Sequence, residues 1–179
     1  MDAMRYLAAA LALVLAWPAA AGSTPSAELQ AKMTGHFRVA ESDDVLQPRL
    51  AAAIEDAISP MNFIARPIAR SRLRSVVYYC KQYEMALRPE TVHVACDDRP
   101  RIDRRLDNSE GPVAGLQSEP ADVKVQVGSD SVELRVSGAD GTRITTYRFG
   151  DGGALEVSVE VTSPRLERPV TWKVLYRRD

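Results

Sequence analysis

The sequence predicts a mainly β protein whose body is an antiparallel meander, preceded by one strand and a pair of helices. Two patterns carry the β part. From Ala121 to Tyr176 the segments ADVKVQV, SVELRV, RITTYRF, ALEVSVEV and VTWKVLY have the composition and length of strands, and the GSD, SGADG, GDGG and SPRLERP between them are turn compositions. Leu155, Val157, Val159 and Val161 alternate with Glu156, Ser158, Glu160 and Thr162, so one face of the sheet is dry and the other meets water. On the same reasoning Val132, Leu134, Val136, Trp172 and Tyr176 belong to the dry face, and Glu133 and Lys173 to the wet one. A sheet with one dry face has to close on itself or be covered.

At the other end, MDAMRYLAAALALVLAWPAAAGS has a basic Arg5, an apolar stretch from Tyr6 to Trp17, a helix breaker at Pro18 and the small triplet Ala19, Ala20, Ala21. This is the layout of a secretory signal peptide over residues 1–21. An apolar stretch of about 12 residues falls short of the roughly 20 that cross a bilayer as a helix. Asp2 is unusual in such a leader, and Met4 is an alternative start. No cysteine follows the triplet, so a lipid anchor has no attachment site. The expected localisation is periplasmic or secreted. Residues 22–31, polar and Pro-containing, read as a flexible leader into a single domain over 32–179, long enough for a core of its own.

After the strand-like GHFRVAES, the run DDVLQPRLAAAIEDAI places Leu46, Leu50, Ile54 and Ile58 at four-residue steps, the apolar stripe of a helix. Asp43 and Asp44 suit its N-terminus, and Pro48 is tolerated only near its first turn. Ser59 and Pro60 supply a stop and a fresh start. The next element, MNFIARPIARSRLR, is interrupted by Pro67 and is expected as a kinked or broken helix, so that the helical region spans about 43–74. Arg66, Arg70 and Arg74 recur along it at four-residue steps. Two readings stand for this stripe. It holds carboxylates or phosphates of an anionic headgroup, a lipid surface or an acidic partner, or it is a solvated face balanced by Glu55 and Asp56. Phe63, Ile64 and Ile68 are ligand contacts on the first reading and core on the second.

The two cysteines lie in YYCKQYEMALRPETVHVAC, which folds about a turn at Leu87, Arg88 and Pro89 and so sets Cys80 opposite Cys96. In an oxidising compartment a cross-strand disulfide follows, closing a loop of about 15 residues for roughly 3 kcal/mol on the chain-entropy model. The alternative is two free, buried thiols. His93 and Cys96 are an odd number of residues apart on one strand and point to opposite faces, so no metal site is expected.

The order of strand, helix pair and long meander resembles the calycins, lipocalins and fatty-acid-binding proteins among them, and most the fatty-acid-binding β-barrel. MTGHFRVAES is similar to the calycin opening motif L-x-G-x-W, with Met33 and Gly35 in place and Phe37 where Trp is usual. The ending, from GTRITTYRF to VLYRRD, is similar to that of many small, exported, uncharacterised bacterial proteins. The resemblance covers about Met33 to Asp179. It implies a closed barrel, a helical pair acting as its lid and an interior that takes an apolar ligand. One departure is plain: the Arg-x-Tyr pair with which the fatty-acid-binding proteins grip a carboxylate is missing, because Val174 stands before Tyr176 at that spacing.

Expected function follows from these readings. The leading one is an exported, non-enzymatic envelope protein that binds a small apolar or amphipathic ligand in its barrel, with Phe63, Ile64, Arg66, Arg70, Trp172 and Tyr176 as contacts and with membrane-surface contact as a further partner. The alternative is a filled-core interaction or structural module that acts through its surface. Aromatics on the interior face of the last strand fit both, since small barrels are commonly filled by side chains. The formal net charge of −1 offers no nucleic-acid footprint. His36 and His93 sit in no nucleophile or metal pattern, and no Gly-rich phosphate loop is present, so neither catalysis nor a cofactor is expected.

Overall fold

The computed structural model describes residues 24–109, 113–114, 120–150 and 152–179. The expected signal peptide lies outside the described residues. Among the described residues three helices, α1 (Ala27–Met33), α2 (Asp43–Ile58) and α3 (Ala65–Val76), accompany ten strands. These are β1 (Gly35–Val39), β2 (Gln82–Leu87), β3 (Thr91–Cys96), β4 (Ile102–Arg105), β5 (Val113–Ala114), β6 (Pro120–Val127), β7 (Ser131–Gly138), β8 (Gly141–Phe149), β9 (Leu155–Thr162) and β10 (Val170–Arg178). The strands form one antiparallel sheet in the order β4-β3-β2-β1-β10-β9-β8-β7-β6-β5. Strands consecutive in sequence are neighbours, except β4 and β5, which end the order, and β10 returns to pair with β1 and curls the sheet into a nearly closed barrel.

The meander follows the expected register. On β10 Val170, Trp172, Val174 and Tyr176 are buried and the residues between them are exposed. Leu155, Val157 and Val159 are buried against them. Val136 and Val161, expected to be buried, are half-buried. Both lie at the end of the barrel covered by α3, where they face open space instead of packed side chains.

Residues 22–31 were expected as a flexible leader, and 27–33 are helical instead. Ser26 Oγ accepts the Leu29 amide at 3.1 Å, Glu28 pairs with Lys32 at 2.7 Å, and Leu29 and Met33 are buried. Two apolar anchors four residues apart suffice to dock a short helix that propensity alone does not hold. α1 lies against β2 and is tied to the end of β10. The fully buried Phe37 lies above it, with the Arg178 guanidinium 5.2 Å from the ring centroid and donating to the Ala31 and Lys32 carbonyl oxygens at 3.0 and 2.6 Å.

α2 buries Leu46, Leu50, Ile54 and Ile58, the expected stripe, and that contact carries Pro48 within the second turn. Arg49 fastens the helix to β10 by donating to the Lys173 carbonyl oxygen and to Glu41, whose carboxylate also accepts the Leu175 amide. α3 is continuous, not broken. It starts at Ala65, so Pro67 falls in the first turn, where its missing N–H costs no intrahelical bond. Asn62 caps this turn, its Oδ1 accepting the amides of Ile64 and Ala65.

The disulfide joins Cys80 to Cys96, but not through the expected pairing. Cys96 lies opposite Tyr83, because the hairpin turns at Pro89 and Glu90, with Arg88 N donating to the Thr91 carbonyl oxygen. Proline favours the second position of such a turn and so sets the register. Cys80 precedes β2, where Asp97, in the left-handed region at φ 47°, accepts the Lys81 and Gln82 amides and folds the chain back toward Cys96.

Candidate ligand-binding site

A cavity of about 430 Å³ opens at the lid end of the barrel. Its roof is the inner side of α3, with Ile68, Leu73 and Val76. Its floor and rim come from the β7–β8 turn, the start of β6 and the β9–β10 connection, with Leu166. The volume is that of a small-molecule pocket, and most of its lining area is apolar, with Arg72, Asp140, Arg143 and Arg165 among its polar groups. Gly141 shapes the rim: at φ +152° it takes a conformation that side chains disfavour, and a Cβ there would collide with the Thr162 carbonyl oxygen.

The polar group that matters is Arg143. Alternation along β8 turns Arg143, Thr145 and Tyr147 into the barrel. Arg143 is 8% exposed. Its Nε donates to Thr145 Oγ1 at 3.3 Å, and Nη1 donates to the Val76 carbonyl oxygen at 2.9 Å, capping the C-terminus of α3. The guanidinium carbon lies 4.2 Å from the Tyr78 ring centroid and 5.3 Å from that of Trp172, whose Nε1 is buried without a hydrogen-bond partner among the described residues. No carboxylate pairs with Arg143 among the described residues. An arginine keeps its charge on burial, and a desolvated charge without a counter-charge is costly, so an anion in this cavity meets a strong attraction.

On the far side of Arg143 and Val136 lies a second cavity of about 120 Å³, lined by Tyr78, Tyr83, Thr145, Tyr147, Arg99 and Arg101. Below it the barrel is filled. Tyr83 packs against Tyr147 and Tyr176 with centroids at 5.6 and 5.0 Å, and Tyr176 Oη donates to the Cys80 carbonyl oxygen at 2.9 Å. Burial pushes the Tyr83 phenol up to about 12, against the opposing pull of the Arg143 charge. Burial likewise drives Tyr147 well above the ordinary phenol range, and Tyr176 is also raised, first by burial.

The six contacts expected from the sequence do not meet in one cavity. Trp172 and Tyr176 are inside the barrel. Phe63 and Ile64 stand outside it, 82% and 66% exposed, because the chain needs Asn62 to cap α3 and the two following residues turn outward. Arg66 donates to the Ser59 and Met61 carbonyl oxygens at 2.6 and 2.7 Å. Arg70 forms a two-pronged pair with Glu55 at 2.6 and 2.7 Å, the carboxylate depressed by that hydrogen bond. Arg143 was missed. RITTYRF reads as a strand in either phase, with Ile144 or with Tyr147 and Phe149 inward. Taking the aromatic phase puts an arginine on the dry face, the one available signal.

No protein-family model matches the sequence, and no curated protein is significantly similar to it. Among solved structures, the chain is similar to apo lipid binding protein 8 of Caenorhabditis elegans, with TM-score 0.51 and 8% identity over 88% of this chain and 100% of that one. The chain folds as a calycin barrel of the fatty-acid-binding type. A Schistosoma mansoni fatty acid binding protein in complex with arachidonic acid aligns at TM-score 0.47, with 11% identity over 84% and 98% of the two chains. In the present barrel Arg143 is buried on β8 and Arg104 on β4, while Val174 and Tyr176 face the core from β10.

Proposed function

We propose that this protein is an exported, non-enzymatic binding protein that takes one small amphipathic anion at the mouth of its barrel. The apolar part of the ligand lies beneath α3, and its charged end lies on Arg143. The observation that carries this reading is a buried guanidinium, without a paired carboxylate among the described residues, in the wall of an apolar cavity of about 430 Å³. The lipid-binding names of the structural neighbours support it by analogy of fold alone. Export is supported by the leader pattern and by the Cys80–Cys96 bridge, which persists in oxidising compartments.

The test is titration with lauric acid, using a fluorescent fatty acid as reporter. Arg143→Gln is expected to weaken laurate by about ten- to a hundredfold, the worth of a hydrogen-bonded charge, while Arg143→Lys restores part of it and the neutral dodecanol hardly changes. Leu73→Trp, which fills the cavity from α3, is expected to abolish binding of both. If the unaltered protein shows no saturable binding, a second reading takes over: a filled-core module acting through its surface. The exposure of Phe63 and Ile64 just before α3 favours that reading.

A further inference from the structure

The proposed headgroup site holds more positive charge than one carboxylate neutralises. Arg143 forms part of the wall of both cavities. On the side away from α3, Arg99 and Arg101 line the same small recess, and the guanidinium carbon of Arg99 lies 3.3 Å from the centroid of the Tyr78 ring that Arg143 also approaches. Among the described residues no carboxylate pairs with Arg99, Arg101 or Arg143. The nearby Asp97 spends both oxygens on the Lys81 and Gln82 amides. The aromatic ring offsets part of the repulsion between the two cations it touches, yet it carries no compensating charge.

We propose that the site selects a dianionic headgroup, a phosphate monoester at the end of an apolar chain, over a carboxylate. The inference rests on the reading of Arg143 given above and deepens it. A carboxylate has two oxygens and one charge, enough for a single two-pronged arginine contact. A phosphate monoester has three free oxygens and a charge of about −1.5 to −2 at neutral pH, and so engages Arg143 from within while Arg99 and Arg101 reach it from the 97–101 loop. The headgroup lies at Arg143, which lines both the larger cavity that takes the chain and the recess of about 120 Å³ that Arg99 and Arg101 line.

The experiment compares dodecyl phosphate, laurate, dodecanol and inorganic phosphate on the full folded protein at pH 8. Dodecyl phosphate is expected to bind at least about tenfold more tightly than laurate, the increment of one further charged hydrogen bond. The double variant Arg99→Gln, Arg101→Gln, on an exposed loop, is expected to bring the two within about threefold by weakening dodecyl phosphate far more than laurate. Equal affinity for the two amphiphiles, or a preference that survives the double variant, overturns the inference, and laurate binding that still depends on Arg143 then leaves the broader function standing. Inorganic phosphate binding as tightly as dodecyl phosphate also overturns it, since the site then takes the free anion and not an amphiphile. Loss of saturable binding by both amphiphiles in the unaltered protein overturns the broader function as well.

Discussion

The side-chain amide of Asn108 makes both hydrogen bonds of a strand pair to the main chain of Val125: Oδ1 accepts its amide at 2.6 Å, and Nδ2 donates to its carbonyl oxygen at 3.2 Å. Between β4 and β6 the barrel has no ladder pairing among the described residues, and the Asn108 side chain reaches across the seam. Asn108 sits at φ 57°, in the left-handed region that asparagine tolerates. Asn108→Gly keeps the backbone conformation and removes the amide. It is expected to cost about 1–3 kcal/mol in urea unfolding and to end protection of the Val125 amide in hydrogen exchange. Unchanged protection at Val125 would mean the seam is held elsewhere.

The Cys80–Cys96 bridge closes a sequence separation of 16 residues. Denatured, unreduced protein is expected to show no free thiol. The double variant Cys80→Ser, Cys96→Ser should lose roughly 3 kcal/mol on the chain-entropy model. Two titratable thiols in exported protein would remove the bridge from the account.

Tyr83, Tyr147 and Tyr176 form the buried aromatic layer, and burial raises all three phenols, Tyr83 to about 12. A raised folded-state value means that the folded protein holds the proton more tightly than the unfolded chain. The stability from this layer is therefore complete below the ordinary phenol value of 10.0 and is lost as pH rises through about 12. Ultraviolet titration is expected to show these three tyrosines ionising only as the protein unfolds, and Tyr83→Phe should leave less alkaline loss of stability. Reversible ionisation of all tyrosines near pH 10 in the folded state would contradict this packing.

Arg178 ties the C-terminal strand to α1 by its planar fork over Phe37. Arg178→Lys keeps the charge and loses the fork, so a loss of about 1 kcal/mol is expected, together with faster exchange of the α1 amides. Gly35, at φ +149°, has the Arg178 guanidinium 3.3 Å from the place of a Cβ. Gly35→Ala should therefore destabilise more than Arg178→Lys. A silent Gly35→Ala would show that the start of β1 relaxes freely.

How much was legible in the sequence differs from element to element. The β6–β10 meander and the inward face of β10 could be read because strand periodicity is local, and each turn composition is written beside its strand. The stripe of α2 was equally plain. The bridge was found for a reason that the hairpin register did not honour, since a turn centred on Pro89 and Glu90 sets Tyr83, not Cys80, opposite Cys96. Pro67 was misjudged because its cost depends on where the helix begins, and that was decided by the Asn62 cap.

The site itself was hidden for a different reason. Arginines at four-residue steps on α3 announce themselves in the sequence, yet Arg66 and Arg70 are consumed by local carbonyls and by Glu55. Arg143 is a single residue in a strand of mixed phase, and its meaning comes from what closure of the barrel brings to it: Val76 from α3, Tyr78 from the following segment, and Arg99 from the β3–β4 connection. The sequence alone determined which residues alternate and therefore that a one-faced sheet would form. Only the tertiary structure decided that the Arg143 charge lost its water, because burial and the lack of a paired carboxylate among the described residues are properties of elements far apart in the chain.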